Sequence, residues 1–168
     1  PVAILCCNQA FAFNNGAIDY TDRDSISYAF APAYSGRSTT CSYSGNRTYN
    51  NPITTYYPGS LVWPYANPSA NPPIGTYLDP VTGDIIFTPV NCTEISVVVI
   101  QMTEWRKDTS GVYQIIGKTR RDMQIIVMTC PGNNPPTIAG PFSYNVCEGS
   151  ELCFNVTTND VTFQPPPP

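Results

Sequence analysis

Three carboxylates, Asp19, Asp22 and Asp24, fall close together ahead of an alternating apolar stretch. Hard oxygen ligands at this spacing on a loop suit Ca2+, the cation that flexible extracellular sites take. The same acids have a simpler use, because an aspartate in a turn caps backbone N–H groups, and Arg23, Arg120 and Arg121 are available as ion-pair partners. The chain contains no histidine. Neither a Ser-His-Asp triad nor a Cys-His pair can be assembled, and the commonest general base near neutral pH is missing. The remaining acids are scattered through turns without a converging pair, so the sequence predicts a protein that is not an enzyme and has no cofactor, Ca2+ being the single candidate ion.

Seven cysteines, Cys6, Cys7, Cys41, Cys92, Cys130, Cys147 and Cys153, in 168 residues fit an oxidising compartment where disulfides persist. They predict a secreted, extracellular or cell-surface location. No CxxC pair and no histidine complete a tetrahedral metal site, which sets disulfides ahead of metal. The odd count leaves either a free thiol or a cysteine, with the adjacent pair Cys6 and Cys7 the natural place for it, bonded to another chain or to a further part of the protein.

These groups must be positioned by a chain that is only 12% charged, with a net charge of −4. Such a chain has no basic surface to neutralise a phosphate backbone or an anionic membrane. Eighteen prolines and eleven glycines interrupt helices and mark reversals, so short strands and frequent turns are expected. The longest apolar runs, Ile95 to Ile100 and Gln124 to Met128, fall far below the ~20 residues of a membrane helix. The chain opens at Pro1 without a basic-then-apolar leader and reads as mature or excised material. The run Val2-Ala3-Ile4-Leu5-Cys6 is no lipobox, which wants a small residue before the cysteine.

Asn14-Asn15-Gly16 supplies the positive φ angles of a hairpin between Phe11–Phe13 and Ile18–Tyr20. Ile26, Tyr28 and Phe30 then alternate with small residues at the period of a strand with one wet face. From Tyr34 to Tyr77 the composition predicts loops with short strands. Their aromatics, Tyr56, Tyr57, Trp63, Tyr65 and Tyr77, either pack over the fold as a local core or stack on sugar rings or a protein partner. Core strands are expected at Asp84–Thr88, Ile95–Trp105, Val112–Thr119 and Arg121–Cys130, with a turn at Asp108–Gly111. Val97, Val99, Ile115, Ile125 and Val127 are the interior candidates; Trp105 belongs to the packing, with Arg106 and Lys107 solvated beside the turn. Antiparallel strands without crossover helices make a β-sandwich.

After Cys130 the sequence Pro131-Gly132-Asn133-Asn134-Pro135-Pro136 has linker composition. The expected organisation is a sandwich domain over 1–130, a linker over 131–140 and a strand-forming tail over 141–168. The tail's two strand-like pieces, Phe142–Cys147 and Leu152–Thr157, flank Glu148-Gly149-Ser150. Even clasped by Cys147 and Cys153, two strands alone are marginal in water and seek a sheet elsewhere. Phe142, Tyr144, Val146, Leu152, Phe154 and Val156 are therefore the candidate subunit-interface residues. The prolines from Pro165 to Pro168 donate no backbone hydrogen bonds and would end strand pairing.

Several phrases, Asn14-Asn15-Gly16-Ala17-Ile18-Asp19, Asp24-Ser25-Ile26-Ser27-Tyr28, Leu78-Asp79-Pro80-Val81-Thr82-Gly83-Asp84-Ile85-Ile86-Phe87-Thr88-Pro89, Glu104-Trp105-Arg106-Lys107-Asp108 and Arg120-Arg121-Asp122-Met123-Gln124, resemble the Ig-like and cadherin-like repeats of type IX secreted, gliding-motility-associated surface proteins of Bacteroidota. The resemblance spans Pro1 to Pro136 and implies an Ig-like antiparallel sandwich, with Asp122 joining the Ca2+ candidates. It also implies that Asp24-Ser25-Ile26 matches the O-glycosylation pattern of these bacteria at Ser25. Asn46-Arg47-Thr48, Asn91-Cys92-Thr93 and Asn155-Val156-Thr157 fit the N-glycan acceptor pattern, with Asn46 the candidate site. Pro135-Pro136-Thr137-Ile138 with Val146-Cys147-Glu148-Gly149 looks like the opening of a next repeat that stops almost at once. Either the tail donates strands to the next copy, making a head-to-tail homopolymer, or it is the cut end of an array. The functional expectation is a structural subunit of an extracellular, pilus-like filament with surface adhesion as its service; the alternative is a carbohydrate- or protein-binding adhesin repeat within a longer surface protein, with glycans or other surface proteins as partners.

Overall fold

The computed structural model of the chain describes residues 1–14, 16–17, 24–131, 137–139, 143–155 and 157–159. Among them are nine strands and no helix: β1 (Val2–Cys6), β2 (Phe11–Asn14), β3 (Ser25–Phe30), β4 (Tyr77–Leu78), β5 (Asp84–Phe87), β6 (Ile95–Lys107), β7 (Tyr113–Met128), β8 (Thr137–Ala139) and β9 (Thr157–Asn159). The chain divides into a larger unit, Pro1–Thr129, and a smaller one, Cys130–Pro168.

In the larger unit one sheet has the order β1-β7-β6-β3 and the other β2-β5-β4. Together they form a β-sandwich. Strand side chains alternate between faces, so β6 turns Val98, Ile100 and Met102 inward, and β7 turns Met123, Ile125 and Val127 to the same side. The facing sheet contributes Ile85 and Phe87, both fully buried, and the Phe11 ring stands 5.1 Å from that of Phe87. Tyr28 and Leu5 close the core.

Two of the five interior candidates lie outside. Val97 is 37% exposed because it alternates with Val98 onto the outer face, where Val99 is covered by Ala31 and Ala33 but Val97 is not. Ile115 is 49% exposed because its part of β7 extends past the facing sheet in a hairpin arm with β6. The strands expected at Val112–Thr119 and Arg121–Cys130 are one continuous strand, β7. Thr119-Arg120-Arg121 is polar without being turn-forming, so nothing interrupts the ladder.

The arm's turn is built by Asp108. Its carboxylate accepts N–H bonds from Ser110 (2.9 Å) and Val112 (3.0 Å), and Gly111 takes φ +81°. The Val112 N–H and the Gln114 side chain hold the Asp108 carboxyl below its ordinary range. The expected Phe11–Tyr20 hairpin is realised differently in its described half, because β2 pairs antiparallel with β5 (Phe11↔Phe87); Ile18–Tyr20 lie outside the described residues. The parallel pairing of β1 with β7, from Val2↔Gln124 to Cys6↔Met128, was not anticipated.

Gly83 marks a point where the core admits no side chain. It sits at φ +76°, and a Cβ there would come within 2.6–2.8 Å of the Tyr28 ring. Tyr28 cannot retreat easily, since it is 6% exposed and its hydroxyl donates to Ala17 O at 3.0 Å. Left-handed strain and overpacking together make Gly83→Ala cost about 2–4 kcal/mol, read as a lowered urea midpoint with an unchanged slope.

In the smaller unit β8 and β9 pair antiparallel, Thr137↔Asn159. The strands predicted at Phe142–Cys147 and Leu152–Thr157 are not formed among described residues 143–155. Among the described residues pairing is confined to β8 and β9, as befits a two-strand ribbon with no third described strand to steady it. Its middle closes with a turn in which Ser150 N–H donates to Cys147 O (3.1 Å) and Gly149 takes φ +81°.

Candidate assembly surface

The cysteines resolve into bonded and free sets. Cys7 and Cys92 form a disulfide with Cα atoms 5.1 Å apart, and Cys6 and Cys130 are disulfide-bonded too. Cys41, Cys147 and Cys153 are free and exposed. This corrects two expectations: the adjacent pair Cys6 and Cys7 is not the source of the odd thiol, and the Cys147 to Cys153 clasp is not made. The Cys153 thiol instead donates to Glu151 Oε1 at 3.5 Å. Cys41 lies in a cleft at the start of β1, beside Val2, Tyr34 and Asp122.

Asp19 and Asp22 lie outside the described residues. Asp24 is gripped by Arg106, whose Nε and Nη2 donate to its two oxygens at 2.9 and 2.6 Å. Arg106 is thus ion-paired rather than simply solvated, and Asp24 has the structural partner expected of a turn aspartate, though not one of the arginines anticipated. Among the described residues no group of three or more potential ligands gathers around a metal position. Trp105 packs as expected and donates from Nε1 to Ser27 Oγ at 2.8 Å. The glycan candidates Ser25 and Asn46 are both exposed.

Of the loop aromatics, Trp63 and Tyr65 are exposed (42% and 46%), whereas Tyr56, Tyr57 and Tyr77 are half-buried. Tyr77 donates to Asp79 Oδ2 (3.2 Å), while Asp79 Oδ1 accepts the Val81 and Thr82 N–H groups. Those N–H groups, Thr82 first, hold the Asp79 carboxyl below its ordinary range. Tyr57 lines an open cleft of about 410 Å3 with Asn46, Asn51, Thr54, Thr55 and Asn91. Asn51 Oδ1, Thr55 Oγ1 and Tyr57 OH are buried in it without a hydrogen-bond partner among the described residues. Burial pushes the Tyr57 phenol up; the Thr55 hydroxyl opposes this from nearby, without meeting it in hydrogen-bonding geometry.

Two surfaces are unusual for a charged-poor chain. In the smaller unit Tyr144, Val146, Leu152 and Phe154 are 38–54% exposed, with the Tyr144 and Phe154 rings stacked at 4.7 Å; Phe142 and Val156 lie outside the described residues. On the larger unit the β6–β7 arm exposes Tyr113, Ile115 and Ile116 and carries Arg106, Lys107, Lys118, Arg120 and Arg121, five of the chain's eight cationic side chains. Sequence reasoning placed Ile115 inside because β-branched alternation reads the same whether or not a second sheet extends far enough to cover it. No helix among the described residues is long and apolar enough to cross a membrane. No family model, curated protein or solved structure matches the chain.

Proposed function

We propose that the chain is a structural subunit of an extracellular bacterial filament, assembled head-to-tail by strand addition from its C-terminal unit. The observation that carries this reading is the smaller unit itself: two three-residue strands, no buried core among its described residues, and four large apolar side chains left in water. A ribbon of that size does not repay the entropy of ordering it, and a sheet edge in another copy would supply the missing partner. Disulfides suit such a role, since they persist in oxidising surroundings. An Ig-like ancestry, glycosylation at Ser25 or Asn46 and an adhesive service belong to the same proposal.

Electron microscopy of the full chain beside a chain ending at Pro136 tests it. Filaments from the first and monomers from the second are the expected result; monomers from both would sink the filament reading. The second reading, a saccharide-binding adhesin repeat, is favoured by the cleft lined with Asn46, Asn51 and Tyr57, whose amide and hydroxyl groups match an uncharged, hydroxyl-rich ligand. It predicts a monomer in both images.

A further inference from the structure

The direction of backbone groups along β7 identifies where an added strand would be received. Gln124 N–H donates outward to Pro1 O at 3.0 Å, whereas Val127 N–H donates inward to Glu94 O at 2.8 Å. N–H and C=O groups alternate sides along a strand, so Lys118, Arg120 and Asp122 aim theirs away from β6. The β1 ladder reaches only to Val2↔Gln124. On that side, the stretch from Lys118 to Asp122 has no ladder partner among the described residues. It ends at a bulge, where Glu104 pairs with Gly117 but Trp105 pairs with Ile115, leaving Ile116 as the extra residue.

Charged side chains on an edge ordinarily guard it against pairing. Here the guard is selective. Lys118 and Arg120 would repel the same edge of another copy, but the segment Cys130–Pro168 contains Glu148, Glu151 and Asp160 and no lysine or arginine. Neither Lys118 nor Arg120 forms an ion pair among the described residues; Arg120 instead donates to Gln101 Oε1 (3.2 Å) and stacks over the Tyr34 ring. The segment Glu151–Asn155 is in no ladder, is five residues long like the open edge, and begins with one of those acids.

We propose that the Lys118–Asp122 edge of β7 is the acceptor for the Glu151–Asn155 segment of a second copy of this chain. The inference rests on the filament reading and adds its receiving site and its selectivity. Added in line with β1, the segment would continue the sheet's outermost strand, and Glu151 and Glu148 would meet the cationic side chains of the arm.

The test is a proline scan of the full-length protein, read by sedimentation of filaments, with circular dichroism as the check on folding. Proline at 118 removes an outward N–H and leaves the β6 ladder intact, as edge positions tolerate. Lys118→Pro is expected to stay folded and to lower the assembled fraction at least about tenfold below Lys118→Ala, the scale of one lost backbone hydrogen bond plus a clash. Thr119→Pro removes an inward N–H and should disrupt the arm itself. Charge reversal supplies an independent readout: Glu148→Lys with Glu151→Lys abolishes assembly, and Lys118→Glu with Arg120→Glu in the same chain restores it. If Lys118→Pro unfolds, this reversal and rescue decides instead. Undiminished filaments from folded Lys118→Pro, or charge reversal without effect, would overturn the acceptor assignment while leaving the filament reading standing. Absence of filaments from the unmodified chain removes both.

Discussion

Replacing Cys7 and Cys92 together by serine lowers the unfolding free energy by about 4–5 kcal/mol, the chain-entropy value for a loop of this length. The bond joins the end of β1 to the residues just before β6 across 85 positions, so its loss opens a long closed loop in the unfolded state. Domains of this size are stable by ~5–15 kcal/mol, which makes this disulfide roughly a quarter or more of the total. Cys7 also packs against the core, so the hydroxyl of serine adds a small desolvation cost on the folded side. Urea unfolding of the double variant gives the comparison, with Cys41→Ser as control. Cys41 is exposed and unbonded, and its replacement should stay within ~0.5 kcal/mol of the unmodified protein. An unchanged midpoint for the double variant would mean that the unfolded chain is already held compact by other means.

Arg47→Met should destabilise the larger unit by about 3 kcal/mol, towards the lower end of the range for breaking a buried ion pair. The Glu94 side chain is 1% exposed and pairs with Arg47 Nη1, while its other oxygen accepts the Thr54 N–H at 3.0 Å. Removing the guanidinium leaves a carboxylate sealed from water with a single donor. Arg47 is 26% exposed on its side chain, so solvent reaches the site sooner than in a fully enclosed pair and trims the loss. The pair is the chief electrostatic tie between the loop segment Arg47–Thr54 and the start of β6. Arg47→Met combined with Glu94→Leu should recover much of the loss, because the buried charge has gone. If the double variant is no more stable than Arg47→Met, then the Thr54 N–H bond to Glu94, and not the ion pair, dominates the site.

Strand identity was legible wherever a period of two coincided with turn chemistry. β3, β5 and β6 and the Asp108–Gly111 turn follow directly from alternation and from Asp and Gly at the reversal. β1 was hidden because Val2-Ala3-Ile4-Leu5 carries no turn signal and its partner lies more than a hundred residues away. The extent of the arm was hidden for a different reason: periodicity reports that a strand has two unlike faces, not whether another sheet covers either. Cysteine count and compartment predicted disulfides, but spacing could not assign them: Cys147 and Cys153 stay unbonded although close in sequence, while Cys7 reaches Cys92 across 85 positions. The pairing of Asp24 with Arg106 required β3 and β6 to be neighbours, with Ser25 opposite Trp105. Local sequence offered only Arg23 beside it.

The parallel ladder between β1 and β7 also fixes an order of events. Residues 2–6 find their partners only at 124–128, so a chain emerging N-terminus first cannot complete its larger sheet until nearly the whole unit has appeared. Pairings of such separation fold slowly, because loop-closure entropy is lost before the contacts that reward it are made. Through that interval Val2 and Ile4 travel unpaired in a short apolar run, the kind of transiently exposed strand through which folding chains aggregate.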